Sequence, residues 1–88
     1  MKIKPEFVMN EIADEYIIVQ VGDKAEKMNG VITLNETGAF LWKQMTENDR
    51  TEEELLRALL GEFKAEEEQA KQDIRAFLEN LRKFGCLE

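Results

Sequence analysis

The chain has no histidine, one cysteine, one proline, one tryptophan and one tyrosine. Each shortage excludes something. Without histidine, the commonest general base and transition-metal ligand is missing. With Cys86 alone, no disulfide can close within the chain and no cysteine cluster can bind a metal. Cys86 also lacks an imidazole to activate it, and its place after Gly85 suits a small buried hydrophobe. A reducing, cytoplasmic setting is the expectation. No apolar run approaches the ~20 residues that span a bilayer, and the opening MKIKPEFVMNEIADEY has no apolar core long enough for an export signal. Neither membrane insertion nor export is expected. Gly22, Gly30, Gly38, Gly61 and Gly85 are too scattered to cradle a phosphate, and repeats and low-complexity runs are absent.

What is present in quantity is charge, mostly negative. Nineteen acidic residues face 12 basic ones, for a net charge of −7. That sign opposes nucleic-acid binding, which gains its affinity by releasing counterions from phosphates to a basic surface. With 43% hydrophobic and 35% charged residues, the 88-residue chain has the composition of one folded domain, residues 1–88. Most of the charges read as the solvated faces of helices.

The pattern predicts three strands, then three helices. FVMNEI (Phe7–Ile12) is the first strand, entered after Pro5. Residues 16–21, YIIVQV, form the second; Ile17, Val19 and Val21 share one face and Tyr16, Ile18 and Gln20 the other, so this strand is expected to be central and partly covered on both sides. A polar connection over residues 22–30 ends in the turn pair Asn29-Gly30 and leaves a small extra hairpin at residues 25–28 open. Val31-Ile32-Thr33-Leu34 is the third strand of an antiparallel meander. It runs straight into a helix at Asn35, a good N-cap, after which Gly38, Leu41, Trp42 and Met45 recur at helical spacing. That helix is expected to end at about Met45. Thr51-Glu52-Glu53-Glu54 is a capping box opening a second helix, whose buried stripe is Leu55, Leu56, Leu59, Leu60 and Phe63 and which ends near Lys64. A third helix spans residues 66–84, with Ala70, Ile74, Phe77, Leu78 and Leu81 inward and Gly85 as its left-handed terminator. Cys86 and Leu87 then fold back on the core. Strands in one block and helices in another argue for an α+β domain of winged-helix-like architecture.

No catalytic residue, metal site or cofactor is assigned. The runs Glu52-Glu53-Glu54 and Glu66-Glu67-Glu68 sit where helix starts favour carboxylates, and Trp42 lies on an apolar face suited to the core. An enzyme is not expected. The feature suited to binding is the third strand, an edge with unpaired N–H and C=O groups and neither proline nor charge to guard it. Such an edge accepts an extended peptide as an added strand. The expected contact residues are Gly30, Val31, Ile32, Thr33 and Leu34 of the strand. From the last helix, the margin with Lys71, Arg75, Leu78 and Arg82 is preferred over that with Asp73, Ala76 and Asn80, because it joins apolar and cationic groups suited to an acidic peptide. Two other readings stand beside it. One is a winged-helix regulator that binds DNA, although the last helix is nearly balanced in charge. The other is self-association through the free edge, as a weak or domain-swapped homodimer in place of a monomer.

LNETGAFLW from Leu34 to Trp42, TEEEL from Thr51, the Asp73-Ile74, Phe77-Leu78 and Leu81 pattern, and the ending GCLE resemble the PqqD family, small peptide chaperones also called RiPP recognition elements (RiPP: ribosomally made, post-translationally modified peptide). The likeness covers nearly the whole chain, and LNxTGAxxW is its most specific part. It implies a three-strand, three-helix domain without catalytic activity, which binds the leader segment of a precursor peptide as a strand added to the third strand, beside the third helix. It further implies delivery of that peptide to a modifying enzyme, of the radical S-adenosylmethionine type. The chain departs from the family in its longer connection over residues 23–29. That leaves the precursor as that of pyrroloquinoline quinone (PQQ biosynthesis) or of another product, the latter favoured because the family is broader than its founding pathway.

Overall fold

Ala13 and Asp14 both adopt left-handed backbone, with φ of 50° and 67°, and reverse the chain in two residues. The strands they join, β1 (Phe7–Ile12) and β2 (Glu15–Gln20), pair antiparallel with Ile12 opposite Glu15 and Phe7 opposite Gln20. Positive φ at both loop positions matches the right-handed twist of the strands, which is why Asn and Gly are the usual residues there; Ala13 pays in steric crowding of its Cβ. On the other side of β2 lies β3 (Ile32–Leu34), also antiparallel, with Leu34 opposite Tyr16 and Ile32 opposite Ile18. The sheet order is β1-β2-β3, so β2 is central and β3 is an edge. The computed structural model describes residues 1–21 and 32–88. The extra hairpin considered at residues 25–28 lies outside them, as do Gly30 and Val31.

Strand β2 starts and ends one residue earlier than its apolar run implies. The tight turn makes Glu15 the partner of Ile12, and Val21 falls past the last pair, exposed, with its N–H donated to the Glu6 carbonyl at 2.7 Å. The two faces of β2 are also unequal. Ile18 is buried with Phe7 and Ile32 against the helices, whereas Ile17 and Val19 are only half-buried on the reverse face.

One residue separates sheet from helix. Asn35 caps α1 (Glu36–Glu47) by accepting the Gly38 N–H on its Oδ1 at 2.8 Å. The helix runs two residues past Met45. Helix α2 (Glu52–Glu62) opens with the capping box: the Glu54 N–H donates to Thr51 Oγ1 at 3.1 Å and the Thr51 N–H to the Glu54 carboxylate at 2.9 Å. That backbone hydrogen bond holds the Glu54 carboxyl below its usual range. Helix α3 (Glu67–Lys83) is flanked by Glu66 and Phe84. Gly85, at φ 72°, closes it with paired bonds, Cys86 N–H to the Leu81 carbonyl at 2.9 Å and Gly85 N–H to that of Arg82 at 3.1 Å.

The core sits where the helices meet the inner face of the sheet. Trp42 and Met45 from α1, Leu55 and Leu59 from α2, and Ile74 and Leu81 from α3 enclose Ile18 and Ile32. Phe40 and Phe63 lock α1 to the end of α2 edge-to-face, 5.5 Å between ring centres. The C-terminal turn returns to the sheet side, where Leu87 bridges Ile3 and the Lys4 N–H donates to the Cys86 carbonyl at 2.8 Å. The result is the α+β, winged-helix-like arrangement expected from the order of elements.

Candidate functional site

Among the described residues nothing pairs with the outer edge of β3, which opens into a groove of about 400 Å³ whose far wall is α3. Three local rules build it. The alternation of a strand turns Ile32 into the core, leaves Thr33 exposed and half-buries Leu34. The Asn35 cap starts α1 immediately, bringing Thr37, Gly38 and Leu41 to the floor. Gly38 eases that close approach: a Cβ there would meet Asn35 Oδ1 at 3.2 Å and Leu34 Cβ at 3.3 Å, so these neighbours would have to shift by a few tenths of an ångström. From α3, Asp73, Ala76, Phe77 and Asn80 complete the far wall, presenting small and aromatic apolar surface between two polar side chains.

The expected strand residues Ile32, Thr33 and Leu34 stand at this edge, while Gly30 and Val31 lie outside the described residues. The helix residues are a different matter. Leu78 is fully buried, at 0% exposure, and does not reach a groove margin. It belongs to the buried stripe of α3 with Ile74 and Leu81, inside the core cluster. Lys71 and Arg75 line a separate cleft with Glu52, Glu53, Leu56 and Glu67, beside α2. Arg82 points to the chain start, with its guanidinium 3.8 Å from the Met1 sulfur. The groove beside β3 is thus lined by the opposite margin of α3, with Asp73 as its charged α3 side chain, while Lys71 and Arg75 of the cationic margin line the cleft beside α2.

Sequence reasoning also read Phe77 as core, whereas it is only partly buried and faces the groove. Its spacing from Asp73 and Asn80, four before and three after, put it on that same margin, and was the available signal. Trp42 is core, at 2% exposure. Cys86 is buried and its thiol is pushed up to about 11 by desolvation. Among the described residues no group of three or more His, Cys, Asp or Glu side chains is placed to hold a metal ion, and no helix is long and apolar enough to cross a membrane.

An extended segment fits this geometry. Since β3 already pairs with β2, the edge offers outward main-chain donors and acceptors at alternate residues, over about 10 Å of strand. Roughly three net hydrogen bonds at ~1 kcal/mol each fall well short of the ~8 kcal/mol of a micromolar complex. The apolar wall must provide the rest, at ~1.5–3 kcal/mol per large side chain buried.

The family model for Coenzyme PQQ synthesis protein D (PqqD) matches residues 15–87. Two solved structures share the fold. TbiB1 in complex with the TbiA(beta) leader peptide is 25% identical, with a TM-score of 0.76 over 100% of this chain and 95% of that one. Lasso peptide synthetase B1 complexed with the leader peptide is 18% identical, with a TM-score of 0.73 over 99% and 95%. No curated protein matches the chain.

Proposed function

The chain belongs to the PqqD family, and we propose that it is a chaperone for a ribosomally made precursor peptide, binding the leader segment as a strand added to β3. The observation that carries this reading is the groove between the free edge of β3 and the Asp73–Asn80 margin of α3. The similarity to TbiB1, solved with a leader peptide, supports it. The chain supplies no chemistry of its own. It holds the leader and presents the rest of the precursor to a modifying enzyme, of the radical S-adenosylmethionine type.

In this reading the docked main chain pairs with β3, and alternate side chains of the leader turn into the groove, against Leu34, Leu41, Ala76 and Phe77. The other side chains face outward, on the Thr33 side. Capture needs little rearrangement, since β3 is held by β2 and by the cap that follows it.

The test is a titration of the labelled protein with the leader of its precursor, followed by backbone amide shifts. Shifts are expected at Ile32, Thr33 and Leu34 and along α3 from Asp73 to Asn80. Shifts confined to the Lys71–Arg75 cleft or to β1 would sink the proposal.

A further inference from the structure

Two clefts meet at the end of β3. One is the groove just described, with Asp73 and Asn80 as its polar side chains from α3. The other, about 290 Å³, is lined by Glu11, Asp14, Tyr16 and Glu36 and shares Leu34 and Asn35 with the first. The sheet register explains the junction. Glu11 lies opposite Tyr16 and Tyr16 opposite Leu34, so the three form one row across the sheet. The row crosses the sheet and ends with Glu11 on β1, the edge opposite β3, so a segment docked on β3 meets it by leaving the strand past Leu34 and turning over that end of the sheet.

Four carboxylates therefore border the path, Asp73 on α3 and Glu11, Asp14 and Glu36 at the far end. Among the described residues no lysine or arginine lines either cleft. Among the described residues none of the four carboxylates joins an ion pair, and Asp73 takes only a neutral partner, the Gln69 amide at 2.9 Å. Segment 22–31, which precedes β3, has Asp23 and Glu26 against Lys24 and Lys27 and adds no net charge. Tyr16 registers the same field: its hydroxyl is raised above the usual range by the Glu11 carboxylate first, then by desolvation, Glu36 and Asp14.

Resting on the leader-docking reading above, we propose that this chain selects a basic leader: an apolar run for Leu34, Leu41, Ala76 and Phe77, flanked by lysine or arginine that meets Asp73 and the Glu11–Asp14–Glu36 end. Like charges brought together across a binding surface disfavour association, so an acidic leader is disfavoured at both ends. The carboxylates act as a filter on charge, while the apolar wall supplies affinity.

Panning a phage library of random peptides of about 15 residues, ~50 Å when extended, on the whole chain tests this without knowledge of the precursor. Enriched peptides are expected to carry Lys or Arg beside an apolar run and to shift the amides of β3. Raising NaCl from about 0.05 M to about 1 M is expected to weaken them about tenfold, as screening shortens to ~3 Å. The Glu36→Lys/Asp73→Lys double variant is expected to enrich acidic peptides instead; both sites are exposed, so the fold is spared. Neutral or acidic peptides that still map to β3 overturn the charge filter and leave the docking reading standing. Enriched peptides that map elsewhere, or no enrichment at all, overturn both.

Discussion

The Arg75 guanidinium lies 3.9 Å from the Glu52 carboxylate, at the start of α2. Arg75 is thereby directed to α2 and not to β3, and the two margins of α3 take separate duties. One margin, with Lys71 and Arg75, faces the acidic first turn of α2; the other, with Asp73, Ala76, Phe77 and Asn80, faces the sheet edge. The pair is exposed and worth little in stability. Its value is as a marker of which way the helix is turned.

Substitutions on the two margins of α3 should therefore separate. Ala76→Trp fills the groove from an exposed helical position and is expected to weaken leader binding by at least about tenfold, ~1.4 kcal/mol. Arg75→Ala is expected to change the affinity by less than about twofold. Isothermal titration of both variants with one leader decides it; equal losses would place the leader elsewhere.

Two glycines should respond oppositely to alanine. At Gly61, near the end of α2, a Cβ meets nothing within 4 Å, so Gly61→Ala is expected to stabilise by about 0.5–1 kcal/mol. At Gly85 the φ of 72° disfavours any Cβ, so Gly85→Ala is expected to destabilise by about 1 kcal/mol or more. Urea denaturation at matched m-values measures both.

The Ala13-Asp14 turn offers a gain. Asn tolerates left-handed backbone far better than Ala, so Ala13→Asn is expected to stabilise by roughly 0.5–1 kcal/mol and to leave the strand register unchanged. Thermal unfolding checks the first point and amide shifts of β1 and β2 the second.

Cys86 predicts an alkaline loss of stability. Burial favours the neutral thiol, raising its pKa from 9.0 to about 11 in the folded chain. The stabilisation is fully present below pH 9 and disappears as pH rises through 11, by about 2–3 kcal/mol at ~1.4 kcal/mol per unit. Urea midpoints across that range are expected to fall in the native chain and to fall less in Cys86→Ala. Native Cys86 is likewise expected to resist alkylation at pH 8 until the chain is unfolded.

The sequence by itself determined the elements and, to within one or two residues, their ends. Local chemistry sufficed there: Asn35 and Thr51 cap with their own side chains, Gly85 takes the one left-handed position at a helix end, and the apolar periods of β2 and α3 select strand and helix. Family membership was legible for the same reason, since LNETGAFLW encodes a strand, a cap and a close-packed glycine in consecutive residues.

Only the tertiary structure decided which side of α3 serves the edge. A helical wheel orders side chains around an axis but does not say which neighbour packs where. The rotation of α3 is set by burial of Ile74, Leu78 and Leu81 between α2 and the sheet, contacts remote in sequence. That rotation buries Leu78, points Lys71 and Arg75 to α2 and brings Asp73 and Phe77 to β3. The groove beside β3 therefore carries Asp73, and the cationic margin preferred from the helical wheel, with Lys71 and Arg75, lies along α2.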